Sequence, residues 1–160
     1  MEPTDFTRAV NRNQQRLFLI ALSITRNHTD AEDILQDVFL KLWRQTKPFE
    51  NEEHIDRFLT RVCVNTSRNH LRALSRRRRM TPEETAEQYV FDGAQEHDLF
   101  CAVMALSSRE RTVVHLFYYE DMSVKEIAAV LHIGQSAVKT ALHRARNHLK
   151  DHLKEDGDHA

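Results

Sequence analysis

Apolar side chains recur at three- and four-residue steps along most of the chain, and that spacing predicts helices. Across residues 6–26, Leu17, Ile20, Leu22 and Ile24, backed by Phe18 and Leu19, make the broad apolar face of a first helix. The polar break Asn27-His28-Thr29-Asp30 follows. Thr29 or Asp30 is expected to cap a second helix, with Glu32 and Asp33 early in it, where carboxylates oppose the helix dipole. Over residues 30–45, Ile34, Leu35, Val38, Phe39, Leu42 and Trp43 form a strong stripe that Pro48 is expected to end. A third helix is predicted over 54–75. Ile55, Phe58, Leu59, Val62, Cys63, Thr66 and Leu71 lie toward one side of it, and Arg57, Arg61, Arg68 and Arg72 are spread around the rest.

The period lapses over residues 80–96, which hold Pro82, Gly93 and a concentration of acids, and it resumes near Gln95. Leu99, Phe100, Val103, Met104 and Leu106 mark the next helix. Ser107 or Ser108 is expected to cap another that runs through Tyr119, with Val113, Val114, Leu116 and Phe117 inward. Ser123 and Glu126 have the spacing of a capping box for a short helix carrying Ile127, Ala128 and Leu131. His132-Ile133-Gly134 reads as a tight turn. Gln135 then opens a last helix, to about Leu153, with Val138, Leu142, Ala145 and Leu149 inward. No stretch alternates with strand period over a useful length. The expected fold is all-α: two small helical domains, residues 5–79 and 97–153, joined by a flexible acidic linker over 80–96, the second carrying a helix-turn-helix.

Composition narrows the class. The chain has 160 residues, 41% hydrophobic and 29% charged, as in folded soluble proteins. Its apolar runs are too short to span a bilayer, and residues 1–5 show no signal-peptide pattern, so a cytoplasmic location without membrane insertion is expected. Cys63 and Cys101 each sit in an apolar run without CxxC spacing and read as buried small hydrophobes rather than metal ligands. The ten histidines are scattered without an HExxH pattern. Neither a metal nor a cofactor is expected. Phosphate-loop, nucleophile and paired-carboxylate signals are all missing, which argues against an enzyme.

Charge is segregated beneath a net value of −1. Residues 57–80 carry eight arginines and no acid, residues 81–100 six acids and no lysine or arginine, and residues 139–150 four basic side chains and no acid. Two cationic surfaces separated by an acidic stretch fit polyanion binding. Two short helices about a tight turn form a helix-turn-helix, and the second enters the major groove by its N-terminal end. The exposed side of that helix would offer Gln135, Ser136, Lys139, Thr140, His143 and Arg144 to bases, with Arg144, Arg146 and Lys150 suited to phosphates. The arginine-rich third helix is less specific by itself, since a basic helix binds DNA, acidic protein or membrane surface.

Two stretches carry a family resemblance. Asp30-Ala-Glu-Asp-Ile-Leu-Gln-Asp-Val-Phe-Leu-Lys-Leu-Trp43 is one. The other comprises Ser107-Ser-Arg-Glu-Arg111, Tyr118, Ser123-Val-Lys-Glu-Ile-Ala128 and Val138-Lys-Thr-Ala-Leu-His-Arg-Ala-Arg146. Together, over residues 8–153, they resemble bacterial RNA polymerase sigma factors of the sigma-70 family, in the compact extracytoplasmic-function (ECF) group. The resemblance implies a subunit that directs promoter-specific transcription initiation. The first domain would bind core polymerase through Asp33, Gln36, Asp37, Leu40 and Trp43. It would follow the −10 region with Arg57, Arg61, Asn65, Arg68, Arg72, Arg76 and Arg77. The second would read the −35 element through Gln135, Ser136, Lys139, Thr140, His143, Arg144 and Arg146. Core polymerase, promoter DNA and an anti-sigma factor are the partners it implies. A lone helix-turn-helix repressor would leave the 30–45 segment without a role, and a polymerase-binding regulator without productive DNA recognition is the other reading left open. The chain departs from the family pattern at His132 (usually glycine), Gly134 (a capping serine), Ala141 (arginine), Asn69 (aspartate) and Val64 (arginine).

Overall fold

A computed structural model describes residues 1–77 and 94–157, with side chains over 1–75 and 98–152. The described residues form seven helices and no strand. They belong to two compact units, the first built from α1 (Pro3–Thr25), α2 (His28–Trp43) and α3 (Glu52–Arg77). The second holds α4 (Ala94–Met104), α5 (Ser108–Tyr118), α6 (Val124–Leu131) and α7 (Gln135–Gly157). The linker expected at 80–96 lies almost wholly outside the described residues.

Helix termini differ from expectation for local reasons. α1 starts three residues earlier, at Pro3, because proline suits the first helical turn, where its missing N–H costs nothing. Asn27, rather than Thr29 or Asp30, caps α2: its side-chain oxygen accepts from the Asp30 N–H at 2.9 Å. Thr25 explains the placement, because its hydroxyl donates back to the Ala21 carbonyl at 2.9 Å while Arg26 turns left-handed, leaving Asn27 extended. α2 ends at Trp43, ahead of Pro48, and Asn51 caps α3 by accepting from the His54 N–H at 2.8 Å. Ser107 caps α5, and Ser123 with Glu126 completes the expected capping box on α6.

In the first unit α1 packs against both α2 and α3. Leu17, Ile20, Ile24, Ile34, Val38, Leu42, Leu59 and Val64 are all 0–1% exposed. Each such side chain contributes about 1.5–3 kcal/mol by leaving water. Val64, where the family favours arginine, is thus a core residue. A polar seam crosses the same interface. Buried Asn13 donates to the Ala9 carbonyl at 2.9 Å and to Asp56 Oδ1 at 3.0 Å. Arg12 donates to Asp56 at 2.7 Å, and Arg16 reaches Thr60 Oγ1 at 2.6 Å. Partial burial alone would push the Asp56 carboxyl up. Bonds from Arg12 and Asn13 and the charges of Arg12 and Arg16 more than reverse that, holding it below the ordinary carboxylate value.

In the second unit α7 packs against α4, α5 and α6. Leu106, Val114 and Ala145 form an apolar cluster with Val103 and Leu149, and Val113, Leu116, Ile127 and Val138 are fully buried. α5 buries polar residues that periodicity did not reveal. Arg111, 3% exposed, donates to the Leu106 carbonyl at 2.8 Å and so closes off the chain leaving α4. Cys63 is buried, whereas Cys101 is only half buried.

His132 ends α6 at φ 56°, the left-handed region, and its N–H bonds back to the Ala128 carbonyl. A Cβ in that conformation is strained. His132→Gly is therefore expected to stabilise the second domain by about 0.5–1 kcal/mol, after allowing for glycine's extra freedom when unfolded. Urea unfolding followed by circular dichroism measures this. A loss of stability would mean that the histidine ring contributes more to the turn than its backbone strain costs.

Candidate functional site

The helix-turn-helix is built from α6, the turn at 132–134 and α7. Ala128, 7% exposed, lets the helices approach, and Ile127, Leu131 and Val138 seal the crossing. Ile133 N–H bonds to the Ala128 carbonyl at 3.1 Å and Val138 N–H to the Gly134 carbonyl at 3.2 Å, so the turn leads directly into α7. With Val138, Leu142 and Ala145 turned inward, Gln135, Ser136, Lys139, Thr140, His143, Arg144 and Arg146 are all exposed along α7. His143 Nε2 lies 3.3 Å from Asn147 Nδ2, which places the amide on the same face. Ala141, where the resemblance implies an arginine, is 4% exposed.

Arg146 is held. Its Nε donates to the Tyr118 hydroxyl at 2.7 Å, and its guanidinium carbon sits 5.7 Å from the centroids of both the Phe117 and Tyr118 rings. An exposed cation–π contact contributes about 0.5–1 kcal/mol. The sequence pattern did not single out this contact between the end of α5 and the middle of α7.

Along α3 the cationic residues are less uniform. Arg57, Arg61 and Arg72 are exposed, while Asn65 and Arg68 are half buried. Arg57 is ion-paired with Glu53 one turn earlier. Arg61 lies 5.8 Å from the Phe58 ring centroid, and Phe58 is 5.3 Å from Phe49, which meets the His54 ring at 5.1 Å. The start of α3 and the loop before it thus present aromatic rings beside exposed arginine, a combination suited to unstacked bases. Phe49 was not among the expected site residues because its partners come from the following helix. The side chains of Arg76 and Arg77 lie outside the described residues.

On α2, Asp33, Gln36, Asp37 and Leu40 share one exposed face, at three- and four-residue spacing, with Trp43 at its end. Leu40 and Trp43 are 47% and 48% exposed, unusual for large apolar side chains. Gln36, Leu40 and Trp43 join Phe39, Pro3, Phe6, Thr7 and Val10 around a shallow, mainly apolar groove of about 680 Å³. Phe6 meets Trp43 edge to face at 5.0 Å. Asp33 and Asp37 do not line this groove. Periodicity does not reveal the α1 wall, because the groove exists only where α1 lies against α2.

The described residues thus form two helical units, the second carrying a capped helix-turn-helix with an exposed cationic face. The family model for sigma-70 region 2 matches residues 9–77, and that for sigma-70 region 4 matches residues 97–149. The RNA polymerase sigma factor SigV of Bacillus subtilis is 30% identical over 152 residues, which cover 92% of this chain and 90% of that protein. The RNA polymerase sigma-E factor of Streptomyces coelicolor is 29% identical over 156 residues, 95% of this chain and 88% of that protein. The sigma factor RpoE, solved in complex with the anti-sigma factor NepR from Bartonella quintana, shares the fold. Its TM-score is 0.72 at 24% identity, over 94% of this chain and 97% of that one. The chain belongs to the sigma-70 family, in its ECF subfamily. As a sigma factor it is a transcription subunit and not an enzyme. No helix among the described residues is long and apolar enough to cross a membrane.

Proposed function

We propose that this chain binds core RNA polymerase through α2 and directs it to promoters, with the first domain engaging −10 DNA and the second reading the −35 element. The observation that carries this is the order of two family regions on two compact units, region 2 on residues 9–77 and region 4 on residues 97–149. In this reading Asp33, Gln36 and Asp37 supply the polar rim of the polymerase contact, and Leu40 and Trp43 its apolar centre. Arg57, Arg61, Asn65, Arg68 and Arg72 follow −10 DNA, together with Arg76 and Arg77. The Phe49–Phe58 pair beside Arg61 adds a stacking surface for a base leaving the duplex. An anti-sigma factor is a further partner, as NepR is for RpoE. All of these events take place in the cytoplasm. Transcription by core polymerase supplemented with this chain, on a pool of random promoter sequences, tests the reading. Recovery of a common pair of elements is expected, and polymerase binding without any selected sequence would overturn promoter recognition.

Base reading and backbone holding separate along α7. Replacing Gln135 or Lys139 is expected to change the preferred −35 bases, at about 1–3 kcal/mol per lost base contact. Replacing Arg146 should weaken binding about equally on all sequences. Selections from a promoter library with each variant measure both. An altered base preference for Arg146→Ala would place that side chain in the groove instead.

A further inference from the structure

We propose that Tyr118 is a positioning residue for DNA-backbone binding: by anchoring Arg146 it aims the end of the guanidinium at a DNA phosphate. The inference rests on the reading of the second domain as DNA-binding. An arginine on a bare helix face must fix several side-chain torsions when it grips an anion, and that ordering opposes binding. Here three contacts fix them beforehand: the 2.7 Å bond from Nε to the Tyr118 hydroxyl, and the two rings of Phe117 and Tyr118 at 5.7 Å. Phe117 and Tyr118 themselves meet edge to face at 5.0 Å, so the platform is a unit.

The orientation leaves the useful edge open. Nε is engaged by Tyr118, and the two terminal amino groups donate to no described residue. That end-on pair of donors matches two oxygens of a phosphate. The Tyr118 oxygen accepts from Arg146 and keeps its own proton, a further donor on the same side. Tyr118 is also 50% exposed, so the core does not need it; a phenylalanine would pack as well if packing were its only task. Arg146 lies eleven residues beyond Gln135, about 16 Å along the helix axis, past the reach of base-reading side chains at the N-terminal end. A phosphate flanking the groove is the group within its reach.

The test uses the full chain and short fluorescein-labelled duplexes of random sequence, with anisotropy titrations at several salt concentrations. Tyr118→Phe is expected to weaken binding about threefold to tenfold, the usual range for one lost hydrogen bond. Arg146→Ala should weaken it at least as much and lower the slope of log affinity against log salt by about one. In the Arg146→Ala background, Tyr118→Phe should add almost nothing. Arg146→Lys, which keeps the charge without the fork, should behave much like Tyr118→Phe. Tyr118→Trp, a ring without the phenol oxygen, checks the result with a second side chain. Unchanged affinity in Tyr118→Phe, or an effect that persists undiminished without Arg146, would overturn the inference. Lys139→Ala and Arg144→Ala separate the two levels. If these weaken binding and Tyr118→Phe does not, only the positioning role fails. If Lys139→Ala, Arg144→Ala, Arg146→Ala and Tyr118→Phe all leave binding unchanged, the DNA-binding reading of α7 fails with it.

Discussion

A chain carrying Leu40→Ala and Trp43→Ala is expected to lose about 2–4 kcal/mol of affinity for core RNA polymerase, roughly 30- to 1,000-fold. Both side chains are about half exposed, at the lip of a groove whose floor is apolar, so their surface is available for burial by a partner. Large apolar anchors at the centre of an interface carry most of its energy, while charged rims act on encounter and register. Asp33→Ala with Asp37→Ala should therefore cost less and should act mainly through the association rate. Surface plasmon resonance with immobilised core enzyme resolves the two effects. The Leu40 and Trp43 replacements leave the buried stripe of Ile34, Val38 and Leu42 intact, so helical content should hold. Core affinity unchanged in the double variant would remove this end of α2 from the polymerase interface.

Mild acid is expected to destabilise the second domain selectively. His115 is 7% exposed and stacks on Tyr119 at 5.1 Å, and burial pushes its imidazole down to about 4 from an ordinary value of 6.5. The unfolded chain takes up this proton near pH 6.5, whereas the folded domain resists it until about pH 4. The stability present above pH 6.5 is therefore lost as pH falls through that window, by about 3–4 kcal/mol in all at about 1.4 kcal/mol per unit. Asp56 acts in the first domain and in a lower window, because its contribution is lost only as pH falls below the ordinary carboxylate value. The chain's single tryptophan, Trp43, lies in the first unit. A fall in helical circular dichroism between pH 7 and 5 that precedes any change in tryptophan emission would identify the second domain as the one that yields. His115→Phe, which keeps a ring against Tyr119, should flatten the response. An equal acid response in that variant would move the cause to another group.

Much of this molecule was legible in the chain itself. Helices advertise themselves by periodicity, since each must turn an apolar stripe inward, and this is why Ile34, Val38 and Leu42, or Val138, Leu142 and Ala145, could be read as core before any coordinates. The capping box at Ser123 and Glu126 is equally local, because both its bonds lie within four residues. The exposed row on α7 then follows by subtraction, and the two motif stretches identify the family.

What the periodicity could not supply depends on residues far apart in sequence. The cap of α2 at Asn27 is the exception, set locally by how Thr25 and Arg26 end the preceding helix. Val64, Arg111 and His115 are buried because neighbouring helices cover them, although their residue types or spacing point outward. Ala141 faces inward for the same reason. The groove that joins Pro3, Phe6 and Val10 to Leu40 and Trp43 exists only where α1 lies against α2, and Tyr118 reaches Arg146 across 28 positions of chain. Local sequence determined which helices form and which faces they bury, since those energies act over one or two turns. Packing between helices decided which polar groups meet and which cation is held still, because hydrogen bonds and ring contacts act only between atoms that the fold has already brought within a few ångströms.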